Sequence, residues 1–262
     1  MGKEGGKMGK VYIVGAGPGS VDLITLKGMK CIQEADVILY DRLVNKELLE
    51  YAKPNAELVF VGKLPKMHDT IQQLIHRLLL QYARKGKIVT RLKGGDPFLF
   101  GRGAEEAEVL REANIPFEIV PGITSGIAAP AYAGIPVTHR DYSSSMAIVT
   151  GHMREGKEDT INWKRISEAV DTLVIYMGVG NLPYIVEELS KYKKPNTEIA
   201  LIQWGTMEGQ KVVSGTLENI VETVQKENIG NPSIIIVGKV VNMHKKIDWF
   251  QQQEQALQML SV

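Results

Sequence analysis

The chain has 262 residues, of which 44% are hydrophobic, and this is enough to build two domains with packed cores. Its 31 lysine and arginine residues nearly balance its 30 acidic residues, and the formal net charge of +1 argues against a protein held on nucleic acid by bulk charge. The sequence has a single cysteine, no stretch near the roughly 20 apolar residues of a membrane helix, and no apolar core of a signal peptide at its start. We therefore expect a cytoplasmic protein with no internal disulfide, no membrane partner and no nucleic-acid partner.

The first half of the chain alternates short apolar runs with amphipathic segments, which is typical of a parallel α/β sheet. Strands are predicted at 11–14, 36–40, 57–61, 87–92 and 116–120. Helices are predicted at 22–34, 45–51, 70–84 and 104–113. We expect these elements to form a first domain over 10–122, preceded by a flexible tail at 1–9.

The second half predicts a mixed sheet, because a turn at Glu208-Gly209 favours an antiparallel hairpin. Strands are predicted at 146–150, 171–177, 198–204, 211–214 and 233–238. Helices are predicted at 126–134, 163–169, 182–192 and 216–225. We expect a second domain over 123–250, followed by a frayed, glutamine-rich tail at 251–262.

A glycine-rich turn at 15–19 follows the first predicted strand and is similar to a dinucleotide-binding fingerprint. Asp41 even stands where the acid that binds a ribose would be expected. Two residues oppose this interpretation, since Pro18 removes an N–H group and Ser20 replaces a close-packing glycine. An NAD-dependent dehydrogenase of Rossmann type therefore stays an alternative, as does a nucleotide-binding module without catalysis.

A second glycine turn follows the strand at 87–92, and we expect the functional site to form around it. Gly94 and Gly95 allow the backbone to approach a ligand at the carboxyl edge of the sheet, where open α/β sheets bind ligands. The next residues, Asp96 and Pro97, predict a helix N-cap followed by the first residue of that helix.

Two titratable residues point to the same edge. Asp41 and Lys63 each come just after a predicted strand, and parallel strands end at one edge of a sheet. For an isolated charged residue, a solvated surface position without function is the alternative.

Several common sites lack their motif in this sequence. Cys31 lies in an apolar helical pattern, which predicts a buried structural thiol rather than a nucleophile. No Gly-x-x-x-x-Gly-Lys-Ser/Thr phosphate loop is present, and the histidines lack metal-binding spacing. What remains suits a small-molecule transferase that positions two ligands and needs no metal.

Six blocks, taken together and in order, resemble the tetrapyrrole methylases. They lie at 14–19, 40–44, 91–102, 120–125, 132–140 and 150–152, within a resemblance that spans 11–250. The blocks at 40–44 and 91–102 are similar to the branch that methylates uroporphyrinogen III. Two positions depart from that branch, with Ala104 in place of glycine and His76 in place of asparagine.

The resemblance implies the two-domain tetrapyrrole methylase fold, with S-adenosylmethionine in the cleft between the domains of a homodimer. The implied reaction methylates uroporphyrinogen III at C2 and C7 and yields precorrin-2 and S-adenosylhomocysteine, in sirohaem and cobalamin biosynthesis. Another tetrapyrrole C-methyltransferase is an alternative. The residues that the resemblance places against the cofactor are Pro18, Gly94, Gly95, Asp96, Leu99, Thr124, Ser125, Met177 and Gly205.

The resemblance also implies catalytic roles, with Asp41 as proton acceptor and Lys63 as proton donor. Uroporphyrinogen carries eight carboxylates, so positive charge must be gathered locally, and guanidinium groups pair well with carboxylates. The candidate substrate-binding residues are Arg42, Arg91, Lys93, Arg102 and Arg140. The alternative is that some of these cations pair with Glu105 or Glu106 and serve the structure.

Overall fold

A computed structural model describes residues 8–62, 68–151 and 161–250 of the chain. The chain divides into two compact units between Thr124 and Ser125. The predicted domains, 10–122 and 123–250, stay predictions. The predicted tail at 251–262 lies outside the described residues, as do the first seven residues of the tail at 1–9.

The described part of the first unit contains a parallel sheet of five strands in the order β3-β2-β4-β1-β5. Its strands are β1 (Lys10–Gly15), β2 (Val37–Tyr40), β3 (Glu57–Phe60), β4 (Ile88–Lys93) and β5 (Phe117–Val120). Its α-helices are α1 (Leu26–Glu34), α2 (His68–Arg84) and α3 (Gly103–Glu112). Two 3₁₀-helices, Val21–Leu23 and Lys46–Tyr51, replace parts of predicted α-helices.

The strand β4 lies at the centre of this sheet, and its register positions the neighbouring side chains. Leu39 of β2 pairs with Arg91 of β4, so Asp41, two residues further on, lies level with Lys93. Side chains two residues apart on a strand share a face. The register therefore brings an acid and two cations to one face of the sheet at its carboxyl edge.

Cys31 is buried in α1 with only 4% of its surface exposed, which confirms the predicted structural thiol. Burial raises the pKa of this thiol to about 11 from its ordinary value of 9.0. A shift of two units lowers the thiolate fraction at neutral pH by about a hundredfold, and the thiolate is the reactive form.

We therefore expect the native protein to react with Ellman's reagent at least about a hundredfold more slowly than the protein in guanidinium chloride. Absorbance at the thionitrobenzoate band measures both rates, and the denatured sample provides the count of one thiol. Rapid reaction of the native protein would contradict the buried, protonated state of Cys31.

The second unit contains, among its described residues, a mixed sheet in the order β6-β7-β10-β8-β9. Its strands are β6 (Met146–Thr150), β7 (Thr172–Tyr176), β8 (Glu198–Gln203), β9 (Lys211–Thr216) and β10 (Ser233–Val237). Its α-helices are α4 (Ser125–Tyr132), α5 (Trp163–Ala169), α6 (Leu182–Ser190), α7 (Ile220–Lys226) and α8 (His244–Ile247). The predicted parallel first sheet and mixed second sheet are confirmed.

Helix α7 starts four residues later than the predicted 216–225. The reason is that Thr216 still pairs with Glu198 in the hairpin, so the chain is extended where the sequence pattern predicts helix. None of the described helices is long and apolar enough to cross a membrane.

Candidate functional site

The two glycine turns of the first unit are joined by a reciprocal pair of main-chain hydrogen bonds. Gly95 N donates to Gly17 O over 2.7 Å, and Gly17 N donates to Gly95 O over 3.2 Å. Both glycines have positive φ, +83° at Gly17 and +66° at Gly95, which other residues adopt only under strain. The turns that follow β1 and β4 therefore form one main-chain framework at the carboxyl edge of the sheet.

A third turn, after β5, joins the same framework. Gly122 N donates a hydrogen bond of 3.0 Å to Asp96 Oδ2. A Cβ atom at Gly122 would lie 2.3 Å from Gly95 O and 2.7 Å from Gly15 Cα, so backbone fills the space that a side chain would need. These glycines are required for the close approach of three turns, whether or not a ligand is bound.

The prediction that Asp96 caps a helix starting at Pro97 is wrong. Asp96 Oδ1 accepts a hydrogen bond from Phe98 N within a turn, and α3 begins only at Gly103. Phe100 and Arg102 adopt left-handed backbone, with φ of 54° and 57°, which interrupts any helix between Pro97 and Gly103.

The predicted cofactor residues of the first unit lie on the three joined turns. These half-buried residues are Pro18, Gly94, Gly95, Asp96, Leu99 and Thr124. The carboxylate of Asp96 accepts one main-chain N–H on each oxygen, which leaves acceptor capacity for hydroxyl or ammonium donors of a ligand. The atoms nearest to a Cβ at Gly94 would all belong to the exposed Leu43, with its Cβ at 3.2 Å and its main-chain O at 3.6 Å, so the backbone of Gly94 is accessible to a ligand. These residues fit S-adenosylmethionine, which carries both kinds of donor.

The predicted cofactor residues of the second unit also share one edge of their sheet. The hydroxyl of Tyr176, at the end of β7, accepts a hydrogen bond from Gly126 N, which holds the start of α4, and with it Ser125, next to that strand end. Gly205 packs on the same helix, since its Cβ would lie 2.3 Å from the Ala129 Cβ.

Met177 follows β7 directly and is the most unusual of the predicted residues. It has left-handed backbone, with φ of 54°, and 48% of its surface is exposed. Such a conformation costs about 1–2 kcal/mol in a residue other than glycine. An apolar residue that ends a strand usually lies in the core, whereas Met177 is exposed and has a strained backbone. Such a residue suits a contact with a ligand.

A buried cluster of charged side chains lies beside the glycine turns. Arg91 Nη2 donates to Asp41 Oδ1 over 2.6 Å, and Arg91 Nε donates to Glu106 Oε1 over 3.1 Å. Lys93 Nζ donates to the same Glu106 oxygen over 2.8 Å and lies 3.9 Å from Asp41 Oδ2. The exposed fractions of the side chains are 2% for Arg91, 4% for Lys93 and 0% for Glu106, against 30% for Asp41. Asp41 is thus the member of this cluster that faces solvent.

The electrostatics of the cluster follow from its burial. The neighbouring acids Glu106 and Asp41 raise the pKa of Arg91 against the opposing effect of desolvation. Desolvation and the charge of Arg91 lower the pKa of Lys93 below its ordinary value. The negative charges of Glu106 and Asp41 act in the opposite direction and favour the charged form of Lys93.

Helix α2 adds two polar side chains to this cluster. Gln72 Nε2 donates to Glu106 Oε1 over 3.4 Å and lies 3.1 Å from His76 Nε2. Burial lowers the pKa of His76 below its ordinary value, which favours the neutral form of its ring.

The other predicted charged residues lie in different surroundings. Arg102 forms an exposed two-pronged pair with Glu105, at 2.7 and 2.8 Å, and Arg42 and Arg140 are exposed. Lys63, the predicted proton donor, lies outside the described residues.

The sequence indicates Glu106 only as a structural partner of the surrounding cations, and it does not indicate Gln72 at all. The signal that points to them is the pair of cations Arg91 and Lys93 on one face of the central strand. Charges in such a position require buried acceptors.

The geometry does not favour the dinucleotide alternative. In that kind of site the helix begins at the glycine turn and its N–H groups face the pyrophosphate. Here the N–H of Gly17 is bonded to Gly95 O, and α1 starts at Leu26 after a cap by Thr25. Among the described residues, no group of three or more histidine, cysteine or acidic side chains is placed to hold a metal ion.

Main-chain turns gathered at strand ends, with a half-exposed carboxylate on a buried ion-pair cluster, are typical of the α/β proteins that bind a small molecule at the carboxyl edge of a sheet. Comparison with known proteins narrows this class. A family model described as tetrapyrrole (corrin/porphyrin) methylases matches residues 10–221. The chain belongs to the tetrapyrrole methylase family.

Individual relatives are similar over nearly their whole length. The chain is 64% identical to a uroporphyrinogen-III C-methyltransferase of Priestia megaterium, over 90% of this chain and 99% of that protein. It is 58% identical to a uroporphyrinogen-III C-methyltransferase of Bacillus subtilis, over 94% of this chain and 96% of that protein. The structure of a uroporphyrin-III C-methyltransferase of Thermus thermophilus complexed with S-adenosylhomocysteine is 39% identical, with a TM-score of 0.77 over 89% of this chain and 99% of that one.

Proposed function

We propose that this chain is an S-adenosylmethionine-dependent methyltransferase that methylates uroporphyrinogen III at C2 and C7 to give precorrin-2. The observation that carries the proposal is the identity of 64% with a uroporphyrinogen-III C-methyltransferase over 99% of that relative. Precorrin-2 is the point from which sirohaem and cobalamin are both made.

The geometry agrees with a methyl transfer that depends mainly on positioning. When bound, S-adenosylmethionine supplies an electrophilic methyl group and leaves as S-adenosylhomocysteine. The three joined turns hold Gly94, Asp96 and Thr124 on one edge of the first unit. Rigid main chain of this kind orients a donor without reorganisation at the moment of reaction.

Methylation at a ring carbon leaves the macrocycle cationic and with a proton to lose. Asp41 is the proposed acceptor, because its carboxylate is half-exposed at the sheet edge and is held by Arg91. Lys63 is the proposed donor. The carboxylates of the substrate then require cations outside the buried cluster, and Arg42, Arg102 and Arg140 are the candidates that solvent reaches.

Equilibrium binding and turnover test the proposed function. We expect the protein to bind S-adenosylhomocysteine and not NAD in calorimetry. With S-adenosylmethionine and uroporphyrinogen III it should form a methylated product that fluoresces after oxidation.

Binding of NAD without S-adenosylhomocysteine would instead support the dehydrogenase. Turnover of a different tetrapyrrole would support another C-methyltransferase of the family. Binding of S-adenosylhomocysteine without any turnover would contradict the enzymatic function.

We also propose that the protein is a homodimer, which rests on the sequence resemblance, and that it is cytoplasmic, as expected from its composition. Sedimentation equilibrium distinguishes a mass near twice the 29.0 kDa of the chain from the mass of a monomer.

A further inference from the structure

The two oxygens of the Glu106 carboxylate differ in the number of hydrogen bonds that they accept. Its Oε1 oxygen accepts hydrogen bonds from Arg91 Nε, Lys93 Nζ and Gln72 Nε2. Its Oε2 oxygen is buried and has no hydrogen-bond partner among the described residues. Glu106 therefore serves as the common anchor of two buried cations through a single oxygen.

The two acids of the cluster compete for the same two cations. Lys93 Nζ is 2.8 Å from Glu106 Oε1 and 3.9 Å from Asp41 Oδ2, so Glu106 holds the hydrogen bond and Asp41 does not. Arg91 bridges the two acids and contacts Asp41 through the other oxygen, Oδ1. The Oδ2 oxygen of Asp41 is thereby kept without a close bond to either cation.

Stability alone does not account for this arrangement. Burying ions costs free energy that their attraction recovers only in part, and well-packed apolar residues are often as stable or more so. Three members of the cluster are buried and the fourth, Asp41, is half-exposed. The arrangement therefore serves to fix the orientation of the Asp41 carboxylate.

We propose that Glu106 is a positioning residue for Asp41, because it binds Lys93 and Arg91 and so leaves the Asp41 Oδ2 oxygen open to the substrate. This role rests on the proposed function of Asp41 as proton acceptor. It also places Lys93 inside the cluster rather than against a substrate carboxylate.

The variant Glu106→Gln tests the role with little change of shape. An amide keeps an oxygen in the position of Oε1, and its nitrogen replaces an oxygen that has no hydrogen-bond partner among the described residues. Lys93 then loses its ion pair with Glu106, and Asp41 becomes the acid nearest to it. We expect Lys93 to cap Asp41 Oδ2 and kcat to fall at least about tenfold, with the KM for S-adenosylmethionine unchanged.

A second substitution should rescue this loss. In the double variant Glu106→Gln/Lys93→Met, one negative and one positive charge are both removed, so that Arg91 and Asp41 remain as a neutral pair. We expect its kcat to return to within about threefold of the wild-type value. The variant Glu108→Gln, an exposed glutamate of the same helix, should retain wild-type kcat.

A double variant that is no more active than Glu106→Gln would overturn the proposal, and so would a Glu106→Gln variant with wild-type kcat. If Glu106→Gln alone does not fold, the double variant decides by itself, since full activity supports the proposal and lost activity refutes it. An inactive wild type would instead refute the proposed function.

The crystal structure of Glu106→Gln, or of the double variant if only that one folds, supplies a measure independent of activity. In Glu106→Gln, Lys93 Nζ should move within hydrogen-bond distance of Asp41 Oδ2, and an unchanged 3.9 Å would overturn the proposal. In the double variant, Asp41 should keep its bond to Arg91 through Oδ1 with Oδ2 open, and a carboxylate that Arg91 binds through both oxygens would overturn it.

Discussion

Replacing Asp41 with asparagine is expected to lower kcat by about 10²–10⁴-fold, the usual contribution of a positioned acid or base. The amide has nearly the same shape but cannot accept the proton that the methylated macrocycle must lose. Steady-state kinetics with saturating S-adenosylmethionine measure the effect, and calorimetry with S-adenosylhomocysteine should give a Kd within about threefold of wild type.

The variant Glu50→Gln is a suitable control, because Glu50 is an exposed carboxylate of the same unit and should retain full activity. If Asp41 only binds the substrate, Asp41→Asn will raise KM for uroporphyrinogen III and leave kcat unchanged. That division between the two constants would refute the role as proton acceptor.

Replacing Gly122 with alanine is expected to weaken S-adenosylhomocysteine binding at least tenfold and to lower the free energy of unfolding by about 1–3 kcal/mol. The new Cβ would lie 2.3 Å from Gly95 O and 2.7 Å from Gly15 Cα, and neither backbone atom can move without separating the joined turns. Calorimetry measures the binding, and urea denaturation followed by circular dichroism measures the stability.

Gly180→Ala provides the matched control, since a Cβ at this position would have open space around it, with no described atom within 4 Å apart from its immediate neighbours in the chain. This variant should bind the ligand and unfold as the wild type does. Equal effects of the two substitutions would show that the loss does not come from the joined turns.

Most helices and strands were predictable because their apolar residues follow the spacing of the element they form. The run at 234–237 is continuously apolar, and it lies in the buried central strand β10. The place of Asp41 was also predictable, since a residue that follows a strand of a parallel sheet must lie at the carboxyl edge.

The predicted helix at 104–113 matches α3, which starts at Gly103, but the turn over 96–102 that precedes it was not predictable from local sequence. Aspartate followed by proline is favoured at the first two positions of a turn and also at the N-cap and first residue of a helix. The choice is made by contacts with distant residues, because Asp96 also accepts the N–H of Gly122.

The sequence alone could not decide whether Arg91 and Lys93 pair with Glu106 or bind the substrate, for a similar reason. The two cations could reach a substrate or an internal acid, depending on how α3 packs on β4. The structure buries them against Glu106, with side-chain exposures of 2% and 4%. The exposed guanidinium groups of Arg42 and Arg140 are thus the better candidates for the substrate.

The reciprocal bond between Gly17 and Gly95 connects parts of the chain that are 78 residues apart without using any side chain. Evolution can therefore exchange the neighbouring side chains, such as Pro18 or Leu99, while the scaffold beneath them persists. A protein built in this way can vary the side chains that line its ligand site one at a time, with no need to invent a new fold.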